Sequence, residues 1–324
     1  MTLRAGIDLG GTKVQAIVVD DDHRVVGQAR MPTPRSGGPD DVVETLAEAV
    51  REACQDAEVK PKELTGIGLG SPGAIDSEAG TVANAKNLPG WTEAPVAVGK
   101  KLAKALGSKA PIRIGNDVDV ATRAEFELGA AAEYDSLLGV FWGTGVGGGV
   151  ILNGAQWNGR GSAGEIGHMV VIQGGRTCPC GREGCMEAYA GRAALEARAR
   201  KLHEEKGRKT DLFHIMRERD RDRLSSGIWS RAVDRGDELA IELLEEAVAA
   251  IGTAAASAVN LLDPEAVVIG GGLGVRFGAP YVEKIRAAML PHLFRDDDPP
   301  AIMLAELGDL GGALGAALLV ARPT

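Results

Sequence analysis

Three of the four cysteines in this 324-residue chain, Cys178, Cys180 and Cys185, follow the pattern C-x-C-x4-C, and the remaining one, Cys54, stands far from them. Thiolates spaced this closely can wrap a loop around a tetrahedral ion, and in a reducing compartment they read as metal ligands before they read as a disulfide framework. Three thiolates leave one position to fill. His168 is the expected fourth ligand, because it is the only histidine near the cluster and Gly174-Gly175 lets the loop fold back. Glu183 and Glu187 are chemically possible, but an imidazole suits zinc held by three sulfurs better than a carboxylate does. A histidine satisfied elsewhere, beside a thiol cluster without metal, is the alternative. A full set of protein ligands leaves no position for water, so the zinc would be structural. Glu165 and Glu187 lie in the same stretch, and a metal that fixes it would hold both carboxylates where they can accept hydrogen bonds from ligand hydroxyls. Surface solvation is the plainer reading of either.

Phosphoryl transfer needs charge neutralisation on the phosphates, a divalent cation and a base at the acceptor hydroxyl, and the chain has a candidate for each. Asp8 ends an apolar run directly before a glycine turn, where a carboxylate can hold magnesium through water. Gly10, Gly11 and Thr12 offer backbone or hydroxyl donors to phosphate oxygens, and Lys13 adds a positive charge. Read conservatively, Asp8 is a strand-end turn residue. Asn116-Asp117 closes the run PIRIGND before a helix, where capping alone would account for both residues. Set at the edge of a substrate site, Asp117 could instead take a proton from a hydroxyl while Asn116 orients the same molecule. Gly270-Gly271-Gly272 follows the apolar run AVVI, and glycines there let backbone approach a flat ligand such as adenosine.

These residues need elements to place them. The stretch AGIDLGGTKVQAIVVDDDHRVVGQARM reads as strand, glycine turn, strand, acidic turn and strand, so the turn joins two strands, whereas a dinucleotide fingerprint or a Walker loop leads into a helix. The same unit recurs as SLLGVFWGTGVGGGVILNG, with the turn at Gly143, Thr144 and Gly145. Two ordinary hairpins would look similar. Together they suggest two related domains facing each other across a cleft, each presenting N–H groups to a phosphate chain. Helices are expected over Asp41–Ala57, Val96–Leu106, the stretch VATRAEFELGAA, a charged region from Ala193 to Arg235 broken near Ser225-Ser226-Gly227, Asp237–Leu262, Ala279–Leu290 and GGALGAALLVA. Strands are expected in LTGIGLGSPGAID, where the strand runs into a turn, in PIRIGND, at Ala266–Gly272 and at AIMLAEL. This alternation predicts an α/β protein with a mostly parallel sheet in each half. We place an N-terminal α/β domain over residues 1–115, with the helix at 308–324 packing back on it, and a C-terminal domain over 116–307 that carries the zinc loop, 164–191.

Composition narrows the function classes. A hydrophobic content of 44% with 45 glycines describes a folded α/β chain with many tight turns, not a fibrous or disordered one. No stretch approaches the about 20 apolar residues of a membrane span, and the N-terminus lacks a signal-peptide pattern, so no membrane partner and a cytoplasmic location are expected. The net charge of -9 argues against a nucleic-acid partner, since the basic runs RARKLHEEKGRK and RERDRDR are interleaved with acids.

The chain resembles the ROK family of sugar kinases and sugar-responsive repressors. The motifs are GIDLGGTK (6–13), GLGSPGAID (68–76), GNDVDVA (115–121), GTGVGGGVILNG (143–154), GEIGHM (164–169), CPCGREGCMEAYAG (178–191), VVIGGGL (267–273) and LGGALGAA (310–317). The resemblance implies two domains of the actin, hexokinase and heat-shock chaperone (ribonuclease H-like) type. It implies ATP-dependent phosphorylation of a hexose at the 6-hydroxyl, glucose first, with N-acetylmannosamine, N-acetylglucosamine, mannose, fructose or allose as alternatives and polyphosphate as another donor. It further implies Asp117 as catalytic base, Gly73, Asn116, Glu165, His168 and Glu187 at the hexose, and structural zinc on His168, Cys178, Cys180 and Cys185, with His168 using different ring nitrogens for metal and sugar. ATP and magnesium would be the cofactors, and a homodimer or homotetramer is expected. Asp119 departs from the asparagine common there. A repressor would need a helix-turn-helix module ahead of the first glycine turn, where Gly10 leaves no room. A chaperone or filament would need neither the GEIGHM loop nor zinc.

Overall fold

In the computed structural model, which describes residues 2–321, the chain divides into two units, Met1–Gly129 with Asp309–Thr324, and Ala130–Gly308. In chain order the first contains β1 (Arg4–Leu9), β2 (Lys13–Val19), β3 (Val25–Pro32), α1 (Pro39–Asp56), β4 (Gly66–Ser71), β5 (Ala74–Asp76), β6 (Thr81–Ala83), α2 (Val98–Leu106), β7 (Ile112–Asn116) and α3 (Asp117–Leu128). The second contains β8 (Leu137–Trp142), β9 (Val146–Leu152), β10 (Ala155–Gln156), α4 (Glu187–Ala190), α5 (Arg192–Lys206), α6 (Leu212–Glu218), α7 (Ser226–Asp234), α8 (Glu238–Leu262), β11 (Ala266–Gly270), α9 (Gly271–Met289) and β12 (Ala301–Leu304). Helix α10 (Gly311–Leu318) returns to the first unit.

The two main sheets repeat one topology, with order β3-β2-β1-β4-β7 in the first unit and β10-β9-β8-β11-β12 in the second. Neither is mostly parallel. The first three strands of each form an antiparallel meander closed by the glycine turns, and parallel pairing begins only where helical crossovers join β1 to β4 and β7, and β8 to β11 and β12. Alternation of helices with strands governs the later strands alone.

Small residues set how helices meet the first sheet. A Cβ on Gly6 would lie 2.8 Å from the backbone nitrogen of Ala317, and one on Gly68 would fall 3.2 Å from that same atom. The alanine-rich face of α10 therefore settles directly on β1 and β4. On the other face α1 buries Val42, Val43, Leu46, Val50 and Ala53 at helical spacing, and Gly27 of β3 lets its last turn close in. The division between units falls after Gly129, not after residue 115. Gly315 of α10 sits against the Val120 backbone, which keeps α3 with the first unit.

Other boundaries shift for identifiable reasons. The charged region is three helices: α5 stops at Gly207, whose φ of 66° is left-handed, and Ser225 is the N-cap position of α7. Strand β11 stops at Gly270 and α9 begins at once, then kinks at Gly278 (φ 63°, ψ -158°) just ahead of Pro280. Helix α8 buries Leu239, Leu243, Leu244, Ala247, Ile251 and Ala255, which makes it the central helix of the second unit's core. Among the described residues, no helix is long and apolar enough to cross a membrane.

Candidate active site

Strands β1, β4 and β7 are parallel, with Asp8 beside Gly70 and Gly70 beside Gly115, so their carboxyl ends lie together. Ligands in open α/β sheets bind at that end. Asp8, the glycine turn, Gly73, Asn116 and Asp117 all belong to it. Asn116 is the N-cap of α3: its Oδ1 accepts from the N–H groups of Val118 at 2.9 Å and Asp119 at 3.2 Å. Capping thus occupies the oxygen and leaves the amide nitrogen to donate, so the capping and ligand-orienting readings are compatible. Gly73 has φ 99°, and a Cβ there would lie 3.1 Å from Ala85, so glycine is required in the turn before β5.

Asp117 is the first residue of α3 and its Oδ1 accepts from the Val118 N–H at 3.0 Å. Burial pushes its carboxyl up to about 7, and the charge of Asp8 adds to the rise, against the pull of backbone hydrogen bonds. Asp8 is raised to about 6, again chiefly by burial, with Lys13 opposing and Asp309 reinforcing the shift. A Cβ on Gly312, in the first turn of α10, would lie 2.8 Å from the Asp8 carboxyl carbon, so this glycine makes room for the acid. A carboxyl held near neutrality by burial and facing a helix amino terminus is a group that a divalent cation would ionise, and Asp8 fits a magnesium role.

The first glycine turn is braced by the residue that follows β3: Thr33 donates its hydroxyl to Gly10 O at 2.6 Å and its N–H to Thr12 O at 3.2 Å. The N–H of Gly10 is committed to Lys13 O at 2.9 Å, which leaves Gly11 and Thr12 as the candidate anion donors of this turn. Lys13 Nζ lies 2.8 Å from Asp309 Oδ1, whose second oxygen is 3.2 Å from Arg30. Neither partner was visible in the local sequence pattern; Asp309 is 296 residues from Lys13 and shares no motif with it.

The second turn is built alike. Gly143 N–H is closed onto Gly145 O at 2.9 Å, and buried Trp142 anchors the strand end by donating from its indole to Ala190 O at 2.7 Å. A Cβ on Gly143 would lie 3.9 Å from the N–H nitrogen of Gly272, so this turn and the start of α9 are neighbours. Gly271 has φ 79° and abuts the Trp142 backbone, a place only glycine fills. The three glycines 270–272 thus pass from strand into the amino terminus of the short helical segment that runs to the kink at Gly278, whereas sequence suggested a turn beneath adenosine. Arg192, absent from the sequence reading, donates to Thr144 Oγ1 at 2.7 Å.

His168, Cys178, Cys180 and Cys185 come together with all ligand atoms within 4.8 Å of one another. His168 Nδ1 is 3.7 Å from Cys178 Sγ, and Cys180 Sγ is 3.8 Å from Cys185 Sγ. A tetrahedral zinc with bonds of about 2.3 Å to sulfur and about 2.1 Å to nitrogen requires S···S of roughly 3.8 Å and S···N of roughly 3.6 Å, so the donor set fits that ion. Burial pushes the Cys178 thiol up to about 12 and raises Cys185, while the Arg182 backbone N–H lowers Cys180. The other ring nitrogen of His168 faces Glu165 at 3.8 Å. Glu187 accepts the Val146 N–H at 2.9 Å, beside the second glycine turn, and its other oxygen is 3.9 Å from Cys178 Sγ. One carboxylate therefore links the cysteine loop to the glycine turn.

The ROK family profile matches residues 4–322. The chain is 31% identical to the glucokinase of Thermotoga maritima over 97% of its own length and 96% of that protein's, and 31% identical to an N-acetylmannosamine kinase of Haemophilus influenzae, covering 97% and 94%. Its fold is similar to the crystal structure of a ROK family glucokinase from Streptomyces griseus in complex with glucose and AMPPNP, with a TM-score of 0.82, 30% identity and 98% of each chain covered. Profile, sequence and fold agree along nearly the full length, and the chain belongs to the ROK family.

Proposed function

We propose that this ROK-type sugar kinase transfers the γ-phosphoryl group of ATP to the 6-hydroxyl of a hexose, with glucose as the preferred acceptor and Asp117 as general base. The observation that carries the reading is the Asp117 carboxyl, held near pH 7 by burial and by Asp8, at the carboxyl end of β7 and next to Asn116. A base poised near the working pH combines a useful ionised fraction with enough basicity to take a proton.

In the reaction, the sugar 6-oxygen forms a bond to the γ-phosphorus as the bond from phosphorus to the bridging oxygen breaks, and ADP leaves. The hydroxyl proton passes to the Asp117 carboxylate. Asn116, its oxygen committed to the α3 cap, donates from its amide to a ring hydroxyl. Gly11, Thr12 and Lys13, with Thr144 and Gly145, supply donors and charge to the phosphates, where preorganised donors lower the barrier most. When bound, magnesium would neutralise phosphate charge, and Asp8 is the residue that would hold it. Zinc on His168, Cys178, Cys180 and Cys185 would be structural, and the loop it closes carries Glu165 and Glu187 as acceptors for sugar hydroxyls.

The test is coupled ADP release against a panel of hexoses and N-acetylhexosamines, with ATP and polyphosphate as donors. Glucose with ATP should give the highest kcat/KM. A higher value for an N-acetylhexosamine would replace the acceptor, and no turnover with any sugar would overturn the reading.

A further inference from the structure

The two glycine turns differ in one respect. The first is followed directly by Lys13 at the head of β2, and the corresponding position at the head of β9 is Val146, which is buried. The second turn has no cation of its own. What lies against it is the amino terminus of α5. The N–H of Arg192 donates to Gly143 O at 3.1 Å and that of Ala193 to Thr144 O at 3.0 Å. The guanidinium completes the contact, with Nη2 donating to Thr144 Oγ1 at 2.7 Å and Nη1 to Leu224 O at 2.9 Å.

These bonds fix the direction of the turn. Across a trans peptide the carbonyl and the following N–H point opposite ways. With Gly143 O and Thr144 O turned onto α5, the N–H groups of Thr144 and Gly145 face away from it, towards where an anion would be cradled. The side chain does the same for the hydroxyl. A threonine oxygen that accepts from a guanidinium keeps its own proton to donate, the polarity a phosphate oxygen needs, and the charged donor strengthens it.

We propose that the Arg192 side chain is a positioning residue for the nucleotide: it orients the Thr144 hydroxyl to donate to a phosphate oxygen, beside N–H groups that the α5 backbone already directs, and it supplies the positive charge that Val146 cannot. The inference rests on the kinase reading above. It also gives the charged region a role, because the bond to Leu224 O, with Leu224 N–H accepted by Glu196 at 3.0 Å, ties the segment between α6 and α7 to the turn.

Calorimetric titration of the full-length protein with the magnesium complex of AMPPNP, and separately with glucose, tests it. Removing a hydrogen bond to a charged donor corresponds to roughly tenfold or more in affinity. Arg192→Ala should weaken AMPPNP by at least that factor and leave glucose within about twofold, with partial recovery in Arg192→Lys. Thr144→Val should weaken AMPPNP, Thr144→Ser should not, and Arg192→Ala with Thr144→Val should be no weaker than the worse single variant. Unchanged AMPPNP affinity in Arg192→Ala, equal losses for both ligands, or additive losses in the double variant would each overturn the proposal. Wild-type protein that binds AMPPNP and phosphorylates no sugar would sink the kinase reading alone; wild-type protein that binds no nucleotide would sink both.

Discussion

Acidification should switch this protein off at a pH where an ordinary aspartate would still be ionised. The Asp117 carboxyl is pushed up to about 7 from a usual value of 3.8, first by burial and next by the charge on Asp8. A base with that pKa is about nine-tenths ionised at pH 8 and roughly one-hundredth ionised at pH 5, so kcat/KM should fall about 100-fold across the interval. An aspartate of ordinary pKa would lose less than about a tenth over the same range. The suitable parameter is kcat/KM for the sugar with MgATP well below saturation and little free magnesium, because it reports the groups before sugar, nucleotide and metal arrive. Asp8→Asn supplies the internal control. Its charge disfavours a second negative charge nearby, so its removal must lower the Asp117 pKa and move the acid limb to lower pH, whatever happens to the absolute turnover. Coupled ADP release between about pH 5 and 8 measures both. A wild-type profile flat down to pH 5 would refute the buried-base argument, and a limb that stays near pH 7 in Asp8→Asn would refute the coupling.

Asp117→Asn should reduce kcat by roughly 10²–10⁴-fold with nucleotide binding retained. The same substitution should raise stability at alkaline pH: a carboxyl whose folded pKa lies above its unfolded value favours the fold below the unfolded pKa and loses that contribution as pH rises through the folded one. Melting curves should therefore show Asp117→Asn above wild type near pH 8 and level with it near pH 4; equal melting at both would contradict the raised pKa. Elemental analysis should find about one zinc per chain and none in Cys178→Ser with Cys180→Ser, where glucose affinity should also drop; full sugar affinity in that variant would remove the metal's role in holding Glu165 and Glu187. Gly315→Ala puts a methyl group against the Val120 backbone and should cost about 1–3 kcal/mol by urea denaturation, with an unchanged midpoint counting against the tight α3–α10 contact.

What could be read from the residues alone divides along the range of the interaction. The cysteine loop was legible because its candidate ligands are close in sequence, and the fold gathers the same four residues. The duplicated strand-turn-strand unit was legible because a glycine turn between apolar runs is a local signal, and its repetition carried the two-domain fold. The strand pairing was not, since parallel and antiparallel neighbours share the same apolar runs and differ only in the connection. The unit boundary moved for a similar reason: nothing in VATRAEFEL says that it packs on a helix beginning at Gly311.

The two glycine turns show what that limit means for the site. A motif reading assigns donors by residue type, so it credited Gly10 and Gly143 alike with their neighbours. The hydrogen bonds take both away, because Gly10 N–H closes onto Lys13 O and Gly143 N–H onto Gly145 O. What remains able to donate is set by distant residues: Thr33 braces the first turn, Asp309, itself paired with Arg30, holds its lysine, and Arg192 donates to the threonine of the second. In each turn the glycines give the backbone room, while the direction in which the donors face is set by hydrogen bonds from residues that the motif does not contain.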